Sequence, residues 1–263
     1  MELSNNTMAL PGPELKEFLD IKAATYNTTD FIATDPIQVP HAFSRKEDIE
    51  IAGFLAATIA WGNRKSIISN SRKIMELMGN APYEFVMAHT AEQLEKLTTF
   101  VHRTFNGSDL QGFVRSLRHL YTAHGGPEAV FARHAREGSL QEAIHHFKKH
   151  FFEIPHLQRT EKHVSDPLKG SSAKRINMYL RWMVRNDNTG VDFGIWKKLS
   201  PAQLSCPLDV HSGNVARKLG LLHRKQNDAK ALAELDTSLR KLDPDDPVKY
   251  DFALFGLGAF EKF

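Results

Sequence analysis

Two residues late in the chain have types and surroundings suited to chemistry. They are Lys174, within Lys169-Gly-Ser-Ser-Ala-Lys-Arg-Ile-Asn-Met-Tyr-Leu-Arg-Trp-Met-Val-Arg185, and Asp209, within Pro207-Leu-Asp-Val-His211. A lysine is a nucleophile only when neutral, which takes desolvation or neighbouring positive charge to lower its pKa. Arg175 follows Lys174 directly. Gly170-Ser171-Ser172 reads as a hairpin running into a helix that Lys174 opens, so the helix's positive end acts in the same direction. Asp209 stands ahead of a helix expected over residues 212–221. There it is a helix cap or, as chemistry, a group that stabilises a sugar cation or activates an attacking amine. A lysine and a carboxylate held by two helix starts suggest amine or Schiff-base chemistry on a nucleic acid. The plain alternative is one basic residue among many and one cap.

Other reactive residue types carry weaker signals. The single cysteine, Cys206, excludes an intramolecular disulfide, a four-cysteine iron–sulfur cluster and a cysteine-rich zinc site; beside Pro207 it reads as a small buried filler. His146 and His150, one helical turn apart, could bind a metal, but no HExxH pattern accompanies them and a solvated face is expected. Asp209 and His211 with one more histidine would suit a metal-dependent hydrolase, yet no third ligand is identifiable. No metal and no other cofactor is expected.

Helices must position these groups. Hydrophobic periodicity predicts helices over 14–24, 48–61, 64–78, 92–100, 109–121, 127–134, 140–151 and from Lys174 onward. It predicts further ones over 212–221, from an Asp228 cap through Leu242, and from Asp246-Pro247 through Phe255. The segment 48–61 is apolar on most faces and reads as a helix buried in the core, broken by Gly62-Asn63 and resumed at Arg64 and Lys65. Residues 34–43 read as a proline-punctuated loop. Gly256 and Gly258 either permit close packing or stop the last helix. Residues 1–13 read as a loose arm, and residues 14–263 as one helical region with its hairpin and catalytic segment at about 166–221. The expected class is all-α.

At 263 residues the chain can bury a sizeable core, and its 41% hydrophobic and 25% charged residues are those of a globular protein. No apolar run approaches the ~18 residues of a membrane span, and the first residues lack a basic-then-apolar signal pattern, so a cytoplasmic, membrane-free protein is expected. Net charge is only +3, but between Lys169 and Lys225 about eleven Lys or Arg meet about three Asp. That basic segment overlaps the Lys174–Asp209 pair and favours contact with a phosphate backbone.

Gly170-Ser-Ser-Ala-Lys174, a helix, and then Pro207-Leu-Asp209-Val-His211 with Val215-Ala-Arg-Lys-Leu-Gly-Leu221 resemble the helix–hairpin–helix DNA glycosylase superfamily. The ending Asp251-Phe-Ala-Leu-Phe-Gly-Leu-Gly258 is similar to the superfamily's closing helix. The resemblance is loose from about Ile49 onward and specific within Gly170 to Leu221. As a whole the chain looks closest to an uncharacterised bacterial family of that superfamily. Among characterised members it resembles the 8-oxoguanine glycosylases that lack an iron–sulfur cluster. Two departures stand out: Ser172 where the hairpin usually places a second glycine, and an insertion over 186–205.

The resemblance implies a two-lobed all-α architecture with a cleft between the lobes. It implies Lys174 as the Schiff-base lysine, Asp209 as the catalytic aspartate, and a damaged or abasic nucleotide in double-stranded DNA as substrate, met by a monomer. It further implies DNA contacts from Gly170, Ser171 and Ser172, from Asn63, Arg64 and Lys65 probing the minor groove, and from Arg175, Arg181, His211 and Arg217. Trp61, Trp182, Trp196 or Phe105 could stack on an extruded base, with core packing as the plainer role for each. The alternative function is nucleic-acid binding on the same scaffold without base excision.

Overall fold

In the computed structural model, which describes residues 12–263, the chain is mostly helical. Of the arm expected over residues 1–13, residues 1–11 lie outside the described residues, while Gly12 and Pro13 already belong to α1 (Gly12–Tyr26). After α2 (Thr29–Ile32), the proline-punctuated stretch folds as two 3-10 turns, Pro36–Gln38 and Pro40–Ala42, each opened by its proline. In α3 (Lys46–Thr58), Glu47 and Asp48 occupy the first turn, where the helix dipole favours acids, and every residue from Ile49 to Thr58 is buried. The helix stops short of the expected Trp61: the chain leaves it at Ile59 and turns at Gly62, φ +103°. Asn63 then caps α4 (Arg64–Leu77), its Oδ1 accepting from the Ser66 amide at 3.2 Å.

Pro82, which reads as punctuation, instead takes the first position of α5 (Pro82–Ala88), where its missing N–H costs nothing. A Thr90–Gln93 capping box opens α6 (Ala91–Lys96). A hairpin of β1 (Val101–His102) and β2 (Phe105–Asn106) follows; two-residue strands are too short for alternation to reveal them. Then come α7 (Gly107–His124), α8 (Pro127–His134) and α9 (Gln141–Phe151). Two more 3-10 turns, Gln158–His163 and Pro167–Lys169, lead into α10 (Lys174–Val184). The chain ends with α11 (Val210–Lys218), α12 (Ala229–Leu242), and α13 (Tyr250–Ala259) entered through the turn Pro247–Lys249.

Two hydrophobic clusters organise these helices. The larger one centres on α3 and takes in α7, α8, α9 and α10; there the Phe54 ring meets Phe113, Phe147, Phe151 and Tyr179 with centroids 5.3 to 5.7 Å apart. The smaller joins α1, α11, α12 and α13 through residues such as Leu19, Val215, Leu235 and Leu257. α13 belongs to both, since Phe252 lies in the larger cluster and Leu254 in the smaller.

Gly256 and Gly258 are inside α13 and serve close packing. A Cβ on Gly256 would stand 2.1 Å from the Tyr26 ring of α1, and one on Gly258 would stand 3.0 Å from Cβ of His211 in α11. The side-chain-free face of α13 thus lets α1 and α11 come close enough to hold the residues after Pro207 in place. Gly256→Ala is expected to overpack this contact at a cost of about 1–3 kcal/mol, lowering the thermal midpoint by several degrees with the helical circular dichroism signal preserved.

Candidate active site at a lysine–aspartate pair

Lys174 is the first residue of α10 and Asp209 the N-cap of α11. The turn ahead of Lys174 is entered from 3-10 turns rather than from an α-helix. Asp166 Oδ1 accepts from the Leu168 amide at 3.0 Å, and Gly170 reverses the chain at φ +90°. Ser171 pairs with Asp228 in an isolated antiparallel bridge, and the Gly170 carbonyl accepts from the Ala229 amide at 3.0 Å. The Ser172 carbonyl accepts from Asn177 Nδ2 at 2.9 Å. The turn is thereby tied to the start of α12 on one side and to α10 on the other. Ala173 then takes a left-handed conformation, φ +45°, and no side chain caps the first turn of α10.

The two oxygens of Asp209 have separate partners. Oδ1 accepts from the Ser212 amide at 2.9 Å and from Ser212 Oγ at 3.2 Å, while Oδ2 stands 3.3 Å from Lys174 Nζ. The cap and the chemical role are therefore not alternatives, because each uses its own oxygen. Asn227 Nδ2 braces the segment by donating to the Asp209 carbonyl at 2.8 Å.

The pair faces an open cavity of about 680 Å³. Trp61, Met178 and Phe255 give it apolar walls; Asp251 and Arg181 lie beside the pair on its polar side. Of the four aromatics expected to stack on a base, Trp61 lines the cavity, whereas Trp182, Trp196 and Phe105 are core residues. The Arg175 guanidinium, also in the cavity wall, lies 4.7 Å from the Trp61 ring centroid, and the His163 ring lies 6.0 Å from it.

Several residues expected to touch DNA have protein partners instead. Arg181 is 4% exposed; its Nε donates to Asp192 Oδ1 at 3.2 Å and its Nη1 to Asp251, with the cation 4.4 Å from the Phe252 centroid. Burial without water makes these carboxylates obligatory partners, so the guanidinium is not free for a phosphate. Arg175 donates to the Thr58 and His163 carbonyls, and burial pushes its guanidinium down to about 10. Arg217 donates to the Arg224 carbonyl at 2.8 Å and to Asn227 Oδ1 at 2.6 Å. Arg185, also part of the basic segment, is 2% exposed and paired with Asp187, Asp192 and Asp246. The positive excess read from that segment is therefore partly cancelled inside the fold.

Other expected contacts keep an open face. Arg64 lines the cavity with its guanidinium 4.9 Å from the Phe255 centroid, and His211 lines it with its ring edge-on to Phe255 at 6.1 Å. Ser171 and Ser172 are also in its wall, whereas Gly170, Asn63 and Lys65 are exposed outside it. Cys206 is fully buried with its Sγ 3.7 Å from Asp251 Oδ1, and burial pushes its thiol well up.

Two cavity carboxylates were not singled out as candidates from the chain alone. Asp35 sits in the proline-rich stretch, where its carboxylate accepts from the Ile37 amide at 3.0 Å and burial raises its pKa. Asp251 has only the closing-helix pattern to announce it. Nothing in local spacing says that α13 passes beneath the pair.

Burial pushes the Asp251 carboxyl up to about 6, against the pull of Arg181 and with the repulsion of Asp209. Since the unfolded chain binds this proton only below about 4, the folded state holds the extra proton between pH ~4 and ~6, and this carboxyl's contribution to stability falls as pH rises through that window. Asp251→Asn is expected to lower stability overall and to flatten that fall, as read from chemical denaturation at a series of pH values.

No curated protein and no solved structure matches the chain. A family model described as "Protein of unknown function (DUF2400)" matches residues 35–260, which takes in the cavity lining except Phe31, both members of the lysine–aspartate pair and α13. The chain belongs to the DUF2400 family.

Proposed function

We propose that the chain is a base-excision DNA repair glycosylase with abasic-lyase activity, acting through a lysine Schiff base on a damaged base such as 8-oxoguanine. The observation that carries this reading is the 3.3 Å approach of Lys174 Nζ to Asp209 Oδ2 at the edge of an open cavity walled by Trp61. A cavity of about 680 Å³ has room for an extruded nucleobase, and Trp61, beside Arg175, offers it a stacking face. The two hydrophobic clusters suit a two-lobed molecule with its cleft at this cavity. The substrate is double-stranded DNA, met by a monomer in the cytoplasm. Arg64, His211 and the amides at the uncapped start of α10 are the groups best placed to meet its backbone.

The chemistry follows from the pair. Asp209 takes a proton from the Lys174 ammonium, leaving a neutral amine that attacks the anomeric carbon. The carbon–nitrogen bond to lysine forms as the glycosidic bond breaks; the base departs with the bonding electrons and takes up the proton that Asp209 had accepted, and the carboxylate so restored faces the positive charge that develops on the sugar. Opening of the sugar ring leaves an iminium on Lys174. Loss of a proton from the neighbouring carbon then expels the 3′ phosphate and nicks the strand.

No helix among the described residues is long and apolar enough to cross a membrane, which agrees with a substrate met in water. The reading without catalysis draws on one observation, that Asp209 is fully accounted for as a cap and an ion-pair partner. Borohydride trapping on duplexes carrying 8-oxoguanine, uracil or an abasic site separates the two. Wild type is expected to give a covalent adduct that Lys174→Gln abolishes while binding persists. Asp209→Asn, which retains a good capping residue, is expected to lower base release by ~10²–10⁴-fold with little loss of stability. Salt-sensitive binding with no adduct on any duplex would leave the non-catalytic reading.

A further inference from the structure

Away from the cavity, five of the chain's 13 histidines meet at one place. α7 supplies His119 and, as its last residue, His124; α8 ends on His134; α9 supplies His146 and His150, and Glu153 follows two residues beyond its end. The Glu153 carboxylate is the hub. Its Oε2 stands 2.9 Å from His119 Nε2 and 2.7 Å from His124 Nε2, and its Oε1 stands 2.6 Å from His150 Nδ1. His150 Nε2 reaches His134 Nε2 at 3.2 Å, and the His134 ring stacks on His146 with centroids 4.0 Å apart.

The cluster is built from imidazole rings facing one another and a single carboxylate. A short nitrogen–nitrogen contact such as His134 to His150 needs one ring to accept, and burial together with His146 and His150 holds His134 below the ordinary histidine range. Both oxygens of Glu153 are engaged, Oε2 by His119 and His124 and Oε1 by His150. Imidazole nitrogens gathered around one carboxylate are the donor set that divalent transition metals prefer. The backbone adds to this. α7, α8 and α9 all end here, so the negative poles of three helix dipoles converge on the same point.

The geometry is close to what one ion needs. The ligand atoms of His119, His124 and Glu153 all lie within 4.8 Å of one another. Two ligands on one tetrahedral zinc, each ~2.0–2.1 Å from it, are about 3.3 Å apart, so side-chain rotations of roughly an ångström would close the set. His150 Nδ1, already on the other oxygen of Glu153, is the available fourth donor. The pairing expected from spacing, His146 with His150, is not what the fold assembles: His146 stacks on His134, and its Nε2 lies 4.0 Å from Glu142.

We propose that His119, His124 and Glu153, with His150 as fourth donor, form a binding site for a divalent transition-metal ion of the zinc type that fastens the end of α7 to the end of α9. The site lies on residues that the lysine–aspartate pair does not use and stands whether or not that pair is catalytic. Protein stripped with chelator and titrated with Zn²⁺ by calorimetry, and with Co²⁺ by visible absorption, tests it. One ion per chain is expected, with the strong visible band of four-coordinate cobalt and a raised thermal midpoint on loading. His124→Ala and Glu153→Gln, each shown folded by circular dichroism, are expected to weaken binding on the order of 100-fold and to lose both the band and the midpoint shift. The exposed carboxylate of Glu153 makes the second variant a safe one for folding should the first disturb α7. Absence of stoichiometric binding in wild type, or affinity unchanged in either folded variant, would overturn the proposal.

Discussion

The buried contact between Arg181 and Asp251 is the constraint on which the cavity depends. Arg181 belongs to α10, packed in the larger hydrophobic cluster, and Asp251 to α13, which closes the smaller one. Asp192 and Arg185 extend the contact into a network in which each charge has a partner and no member reaches bulk water freely. Removing one partner from such a set strands the other in low dielectric, at a cost of about 3–5 kcal/mol. α10 and α13 pack mainly into different clusters, and this network ties one directly to the other. The charge network fixes their register, and with it the distance between a lysine on α10 and an aspartate held against α13 through Gly258 and His211.

Much of this was legible in the residues and some was not. Helices with strong punctuation read well: α8 runs from Pro127 to His134 as expected, and Asp228 caps α12. α3 read as buried because its apolar residues surround the helix instead of lining one face. What failed did so for identifiable reasons. Pro82 looks the same whether it ends one segment or opens another, and α5 has only seven residues in which to show a period. The insertion over 186–205 carries no periodicity, yet it delivers Asp192 to the arginines and Trp196 to Glu50.

The candidate site shows the same division. Lys174 and Asp209 could be paired in advance because each announces a helix start, and both starts meet the same cavity. A basic residue in a run reads as surface until its carboxylate partners, distant in sequence, are known. Asp246 and Asp251 lie more than sixty residues from the arginines they neutralise. Local spacing carries charge but not its compensation.

The bare beginning of α10 has a consequence beyond the position of its lysine. Asn63, Thr90, Asn106, Asp209 and Asp228 all cap their helices with side-chain oxygens, whereas Ala173 offers none and holds a left-handed turn that an L-residue adopts at a cost. Like α3 and α8, α10 begins without a side-chain cap on its first-turn amides. On the proposed reading, a phosphate of the substrate accepting from those amides would do for α10 what side-chain oxygens do for α4 and α12, so that binding and the order of that first turn would be linked.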